Sequence, residues 1–229
     1  MSPFPELPLF GGYLPTSFLD WEGRVTAVIF LKGCNFRCPF CHNAPLVTGM
    51  AEGLETGPVL ADILRRKKFL DGVAVSGGEP TIYSSLEALL GWVREVAGLP
   101  VKLDTNGSNP SLLSRLLEKR LVDAAAMDVK APWDKYGALT GVEVDTRKIM
   151  ESLEILDPLG DSLELRTTFV PDLMTLEDLV EIHGQLGKDP RWVVQLFEPD
   201  KALAPSLRES RRPERGEVIA VLKDVRVRG

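Results

Sequence analysis

Cysteine is scarce in this chain. The three present, Cys34, Cys38 and Cys41, are crowded onto one short segment of a 229-residue sequence. An odd count in tiny loops suits a disulfide framework poorly and points to metal or redox chemistry. No apolar run approaches the roughly 18 residues of a membrane span. Met1 to Phe10 carries Pro3, Pro5 and Pro8 but no basic start and no long apolar core, so it does not read as a secretory signal; a cytoplasmic enzyme is the expectation. There is no basic excess either. A net charge of -6 and a pI near 5.1 argue against broad nucleic-acid binding. Internal repeats and low-complexity tracts are also absent. With 44% hydrophobic residues, the chain suffices for one domain with a sizeable core.

What is present alternates. Six apolar or β-branched runs, at 24–31, 72–76, 101–104, 123–129, 163–170 and 192–197, read as buried strands. Between them 58–69, 84–97, 110–119, 146–156 and 176–186 show helical spacing, with Pro, Ser or Thr at their starts. Strand–helix alternation of this kind predicts an α/β fold: a partial, open (β/α)6 TIM-like barrel of parallel strands. Residues 1–23 read as an N-terminal lead-in that caps the barrel, 24–199 as the barrel, and 200–229 as an extension with a short helix near 217–223 and an edge strand at 225–228. The basic runs at 65–68 and 208–215 read as solvated faces, with docking of an acidic partner as the alternative.

The cysteines follow the first predicted strand directly, in GCNFRCPFCHN. Three thiolates leave a metal site one ligand short. Structural zinc takes four protein ligands, and His42 is the available fourth, although its adjacency to Cys41 makes a shared tetrahedron awkward. Three cysteines on a four-iron cluster instead leave one iron open. Downstream, Gly77-Gly78-Glu79 ends the second strand, where two residues without Cβ permit a close approach or a tight turn. Asp104-Thr105-Asn106-Gly107 ends the third strand, with an Asn-Gly turn as the plain alternative. On the fourth, Asp128 and Lys130 share a face by their i, i+2 spacing, either as an ion pair or as site residues. Arg166 on the fifth needs an anionic or polar partner, and an internal salt bridge is equally consistent. Gln195, Leu196 and Phe197 close the sixth. All these segments sit at strand C-termini, the active-site face of a (β/α) barrel.

The CxxxCxxC spacing with Phe40 before the last cysteine, together with GGEPT, DTNG and DxK, resembles the radical S-adenosylmethionine (SAM) superfamily. The lead-in Ser17-x-x-Asp20-x-x-Gly23 and CPFCHN are similar to its glycyl-radical enzyme activating branch, which serves pyruvate formate-lyase and anaerobic ribonucleoside-triphosphate reductase. The resemblance implies a [4Fe-4S] cluster on Cys34, Cys38 and Cys41, whose open iron is chelated by SAM. It implies SAM contacts from Phe40, Gly77, Gly78, Glu79, Asp104, Thr105, Asn106, Lys130 and Arg166, and a monovalent cation among Asp104, Thr105 and Asp128. It further implies reductive SAM cleavage to a 5′-deoxyadenosyl radical that takes hydrogen from a backbone glycine of a partner, with anaerobic ribonucleotide reductase expected. The electron would come from a reduced flavodoxin or ferredoxin-type donor. The alternatives are a radical SAM enzyme acting on a small molecule or peptide, and a metal-binding or redox-sensing module without SAM turnover.

Overall fold

A computed structural model of the chain describes residues 7–229; residues 1–6, on which part of the secretory-signal reading rests, lie outside the described residues. One eight-stranded sheet runs in sequence order. Strand β1 (Phe10–Ser17) pairs antiparallel with β2 (Thr26–Leu31). The strands β3 (Gly72–Gly77), β4 (Val101–Thr105), β5 (Ala124–Asp128), β6 (Leu163–Phe169), β7 (Trp192–Leu196) and β8 (Arg226–Arg228) then follow, each parallel to the one before. The edges β1 and β8 do not pair with each other, so the barrel is open. Among the described residues no helix is long and apolar enough to cross a membrane.

Alternation along the strands separates two environments. In β6 the buried Leu163, Leu165, Thr167 and Phe169 alternate with the half-buried Glu164, Arg166 and Thr168. The apolar set packs under the helices α2 (Thr56–Arg66), α3 (Leu86–Trp92), α4 (Pro110–Glu118), α6 (Thr146–Leu156) and α7 (Leu176–Gln185), through Leu60, Ile63, Leu89, Leu113, Ile149, Leu179 and Ile182. Each such side chain contributes roughly 1.5–3 kcal/mol by burial. The alternate set lines the barrel interior, where Phe30, Ser76, Asp104, Asp128, Arg166, Thr168 and Gln195 share one cavity. Helix starts follow local chemistry. Asn109 caps α4 ahead of Pro110, and Thr175 with Asp178 forms a capping box on α7. Short helices α1 (Ala44–Val47) and α5 (Tyr136–Thr140) sit in the loops after β2 and β5, and α8 (Arg215–Val221) precedes β8.

One boundary differs from the sequence reading. The lead-in contains a strand, disguised by Gly11, Gly12 and Pro15. The pairing is bulged between Phe10 and Gly12 and again between Leu14 and Ser17, where an edge strand tolerates such residues. A Cβ on Gly11 would stand 2.4 Å from Leu46 Cδ2. The edge is not left bare: Leu54 N–H donates to Phe10 O (2.9 Å) and Arg66 to Pro15 O. After β1, Ser17 Oγ accepts the amides of Leu19 and Asp20, and the Asp20 carbonyl receives Lys102 Nζ from β4. The lead-in therefore closes an edge and the lower end of the barrel, as a capping segment would. At the other end of the chain, the edge strand expected at 225–228 is β8, which pairs with β7 as a seventh parallel strand.

Candidate active site

The chain turns at Gly33 (φ 78°) after β2 and enters the cysteine loop. Cys34 and Cys41 are half-buried and Cys38 is buried; all three are free and line one cavity of about 420 Å³, within the range of small-molecule sites. Burial pushes the Cys34 thiol up to about 12 and the Cys38 thiol upward as well. Thiols in such surroundings are poor nucleophiles at neutral pH, but a bound metal centre deprotonates a coordinating thiol outright. The donor set thus suits a cationic centre better than covalent catalysis. His42 does not complete a zinc tetrahedron with them: its ring stacks on Phe197 at 5.8 Å and 21°. Among the described residues no group of three or more His, Cys, Asp or Glu stands tight enough for a single metal ion. A four-iron cluster makes no such demand, because each cysteine takes a different iron.

The Gly-Gly-Glu segment acts on the cysteine loop from beneath. A Cβ on Gly78 would lie 1.7 Å from Gly33 O, and one on Gly77 (φ 117°) 2.4 Å from Leu31 N. What the glycines approach closely is therefore the chain's own backbone, at Leu31 and Gly33 just ahead of Cys34. Hydrogen bonds seal the contact: Gly78 N–H to Leu31 O (2.9 Å) and Glu79 N–H to Gly33 O (2.8 Å). The Glu79 side chain, expected to meet SAM, is 1% exposed and turned inward. Its Oε1 accepts Thr81 N–H (3.0 Å), Thr81 Oγ1 (2.6 Å) and Thr105 Oγ1 (2.8 Å), and its Oε2 accepts Asn106 N–H (2.6 Å). Burial pushes this carboxyl up, and the four donors pull it back. Asn106 passes the constraint on, through Nδ2 to Asn35 Oδ1 (2.9 Å) beside Cys34. Glu79 and Thr105 are braces in this arrangement; their polar atoms are spent on the protein.

Inside the barrel, charges alternate. Arg166 Nε donates to Asp128 Oδ1 (3.0 Å) and its Nη1 to Asp104 Oδ2 (3.3 Å), while Lys130 Nζ donates to Asp128 Oδ2 (2.8 Å) and lies 6.0 Å from the Phe40 ring centre. The carboxyl of Asp128 is held at about 2: burial opposes this, but Arg166 and Lys130 prevail. Of the oxygens that the resemblance assigns to a monovalent cation, those of Asp104 and Asp128 meet the Arg166 guanidinium, whereas Thr105 Oγ1 donates to Glu79. One atom is left over. Asp104 Oδ1 is buried without a hydrogen-bond partner, Lys102 Nζ standing 3.8 Å away. A buried acceptor in that state is costly unless a ligand donor meets it. Gln195 lines the cavity, whereas Phe197 is buried behind His42.

Several contributors escaped the sequence reading. Tyr136 OH accepts Lys130 N–H (3.1 Å) and donates to Asp128 O (3.3 Å), fixing the Asp-x-Lys backbone. Asn43 Nδ2 donates to Gly77 O (2.8 Å). Arg37 N–H donates to Thr140 O, and Ala204 N–H to Pro39 O, both at 2.8 Å. Little marked these in advance except Asn43, which belongs to the CHN signature already singled out.

Residues 28–186 match the radical SAM superfamily, and the chain belongs to it. Enzymes of this superfamily use a [4Fe-4S] cluster and SAM. Within it, the chain is 32% identical over 92% of its length to a Methanocaldococcus jannaschii protein named as a candidate glycyl-radical enzyme activating enzyme, covering 88% of that protein. It is 29% identical over 68% of its length to the pyruvate formate-lyase-activating enzyme of Streptococcus mutans, covering 63% of it. In structure it resembles Streptococcus suis SuiB bound to its precursor peptide, with TM-score 0.62 and 17% identity over 88% of the chain. The chain spans about half of SuiB (48%), so that likeness concerns the barrel alone.

Proposed function

We propose that this enzyme activates a glycyl-radical protein, with anaerobic ribonucleotide reductase the expected partner and a reduced flavodoxin or ferredoxin-type protein the electron donor. The observation that carries the reading is the 32% identity to the candidate activating enzyme, which runs through cysteine loop and barrel alike over 92% of the chain. Cys34, Cys38 and Cys41 would hold the cluster, whose fourth iron is left for SAM. When bound, the pair supplies one-electron cleavage of SAM to a 5′-deoxyadenosyl radical, which takes hydrogen from a partner glycine. The residues here bind and orient. Asp104 Oδ1 is an unmatched acceptor for the methionyl ammonium, Lys130 a held cation for its carboxylate, and Phe40 a wall. Since β1 and β8 do not pair, a loop of the partner would enter from that side.

The test is anaerobic reconstitution followed by reduction with SAM and the partner. The expected outcome is about four irons per chain, formation of 5′-deoxyadenosine and a glycyl radical EPR signal on the partner. All three are lost in Cys34→Ala, Cys38→Ala and Cys41→Ala. Deoxyadenosine without a radical on any glycyl-radical protein would defeat the activase reading, and would favour a small molecule or peptide substrate. Iron-free protein that binds zinc would defeat the radical SAM site itself.

A further inference from the structure

Arg37 stands between Cys34 and Cys38 on the cysteine loop. Its side chain is exposed, yet its guanidinium is fixed: Nη1 donates to the carbonyls of Cys34 and Phe36, the latter at 2.8 Å. The same turn bends Phe36 N–H onto Cys34 Sγ (3.3 Å). Its backbone is clamped from the other side. Arg37 N–H donates to Thr140 O, and Gly141, at φ 68°, lies so close that a Cβ there would be 2.5 Å from Arg37 O. No carboxylate among the described residues lies within ion-pair distance of it. The cations that line the cavity, Lys130 and Arg166, are neutralised by Asp104 and Asp128. Arg37 is therefore an uncompensated positive charge, immobilised on the cysteine loop itself.

We infer that Arg37 sets the reduction potential of the cluster, its charge favouring the reduced form that must deliver the electron. This rests on the reading that Cys34, Cys38 and Cys41 hold a four-iron cluster. Reduction by one electron makes the cluster more negative, and net charge and hydrogen bonding at the sulfurs are the levers by which a protein moves that potential. A fixed cation stabilises the reduced state through the Coulomb term, and exposure moderates that term through solvent and salt. The charge, more than the fork of hydrogen bonds, carries the effect.

The experiment is an EPR-monitored redox titration of the reconstituted enzyme, in dithionite with mediators, comparing wild type, Arg37→Gln and Arg37→Lys at equal iron content. Arg37→Gln is expected to hold about tenfold less reduced cluster relative to oxidised at a fixed potential, a 59 mV fall for a one-electron couple, and Arg37→Lys to stay near wild type. Equal midpoints in wild type and Arg37→Gln overturn the inference, as does an equal fall in both variants, which would assign the effect to the hydrogen bonds. If the variants fail to hold iron, ionic strength decides on wild type. A reduced fraction that falls as salt is raised supports the inference, and one indifferent to salt overturns it. Wild-type protein without a four-iron signature defeats the underlying reading instead, a result separate from any of these.

Discussion

Replacing Glu79 by Gln tests whether that side chain is a brace or a ligand. The carboxylate faces four donors and no cation: three on Oε1, and Asn106 N–H on Oε2. The amide of Glu79→Gln keeps one acceptor oxygen and sets an NH2 group against one of these donor groups. The least disruptive orientation keeps the oxygen toward Thr81 and Thr105 and places the NH2 against Asn106 N–H. That loses one charge-assisted bond, about 1.5–3 kcal/mol, and leaves buried donors unmatched at about 1–3 kcal/mol each. Removing a buried charge gives part of this back, so the net loss is about 3 kcal/mol. For a domain of this size that is a fall in Tm of roughly 6–12 °C, measurable by calorimetry on cluster-free protein, where SAM contacts play no part. A second readout is local. Because Asn106 holds Asn35 beside Cys34, the Cys34 thiol should react faster with a soluble thiol reagent, by about tenfold for each 1.4 kcal/mol of local stability lost. A Tm within about 2 °C of wild type, with unchanged thiol reactivity, would refute the bracing role.

Glycine substitutions should separate packing from flexibility. Gly78→Ala forces a Cβ onto the Gly33 carbonyl, a backbone atom that cannot step aside, and is expected to cost about 3 kcal/mol or to prevent folding; Gly91→Ala in α3, with nothing within 4 Å, should leave stability equal or raise it by up to about 1 kcal/mol, both checked by urea unfolding. Acid should expose the Asp128 network. A carboxyl held at about 2 in the fold against an ordinary 3.8 contributes about 2 kcal/mol that is present above pH ~4 and lost as pH falls toward 2. The stability gap between wild type and Asp128→Asn should therefore shrink as pH drops through that window, and a constant gap would contradict it.

The strands from β2 to β7 were legible in the sequence because parallel strands covered on one face by helices read as short apolar, β-branched runs. The cysteine loop was legible for a different reason: clustered thiols are chemically unusual, and their incomplete ligand count is informative in itself. The strand β1 was hidden, since Gly11, Gly12 and Pro15 all argue against a strand and only the bulges reconcile them with pairing. The roles of Glu79 and Thr105 were also hidden. A short polar motif shows which residues gather, but not whether their polar atoms face a cavity or one another. The clamps from Thr140 and Ala204 were invisible because they use backbone groups, which every sequence offers.

The way the cysteine loop is held has a consequence for how the protein is made. Residues 33–43 are tied to Gly77, Glu79, Asn106, Thr140 and Ala204, contacts that reach across most of the chain. Long-range contacts of this kind form late, because the intervening chain must be closed first. During synthesis the three thiols emerge early and wait, unanchored, until the segment carrying Ala204 has been made. Loading of a cluster on these thiols would thus be a late event in biogenesis, and a nascent or truncated chain would present its thiols to oxidants before it could present them to iron.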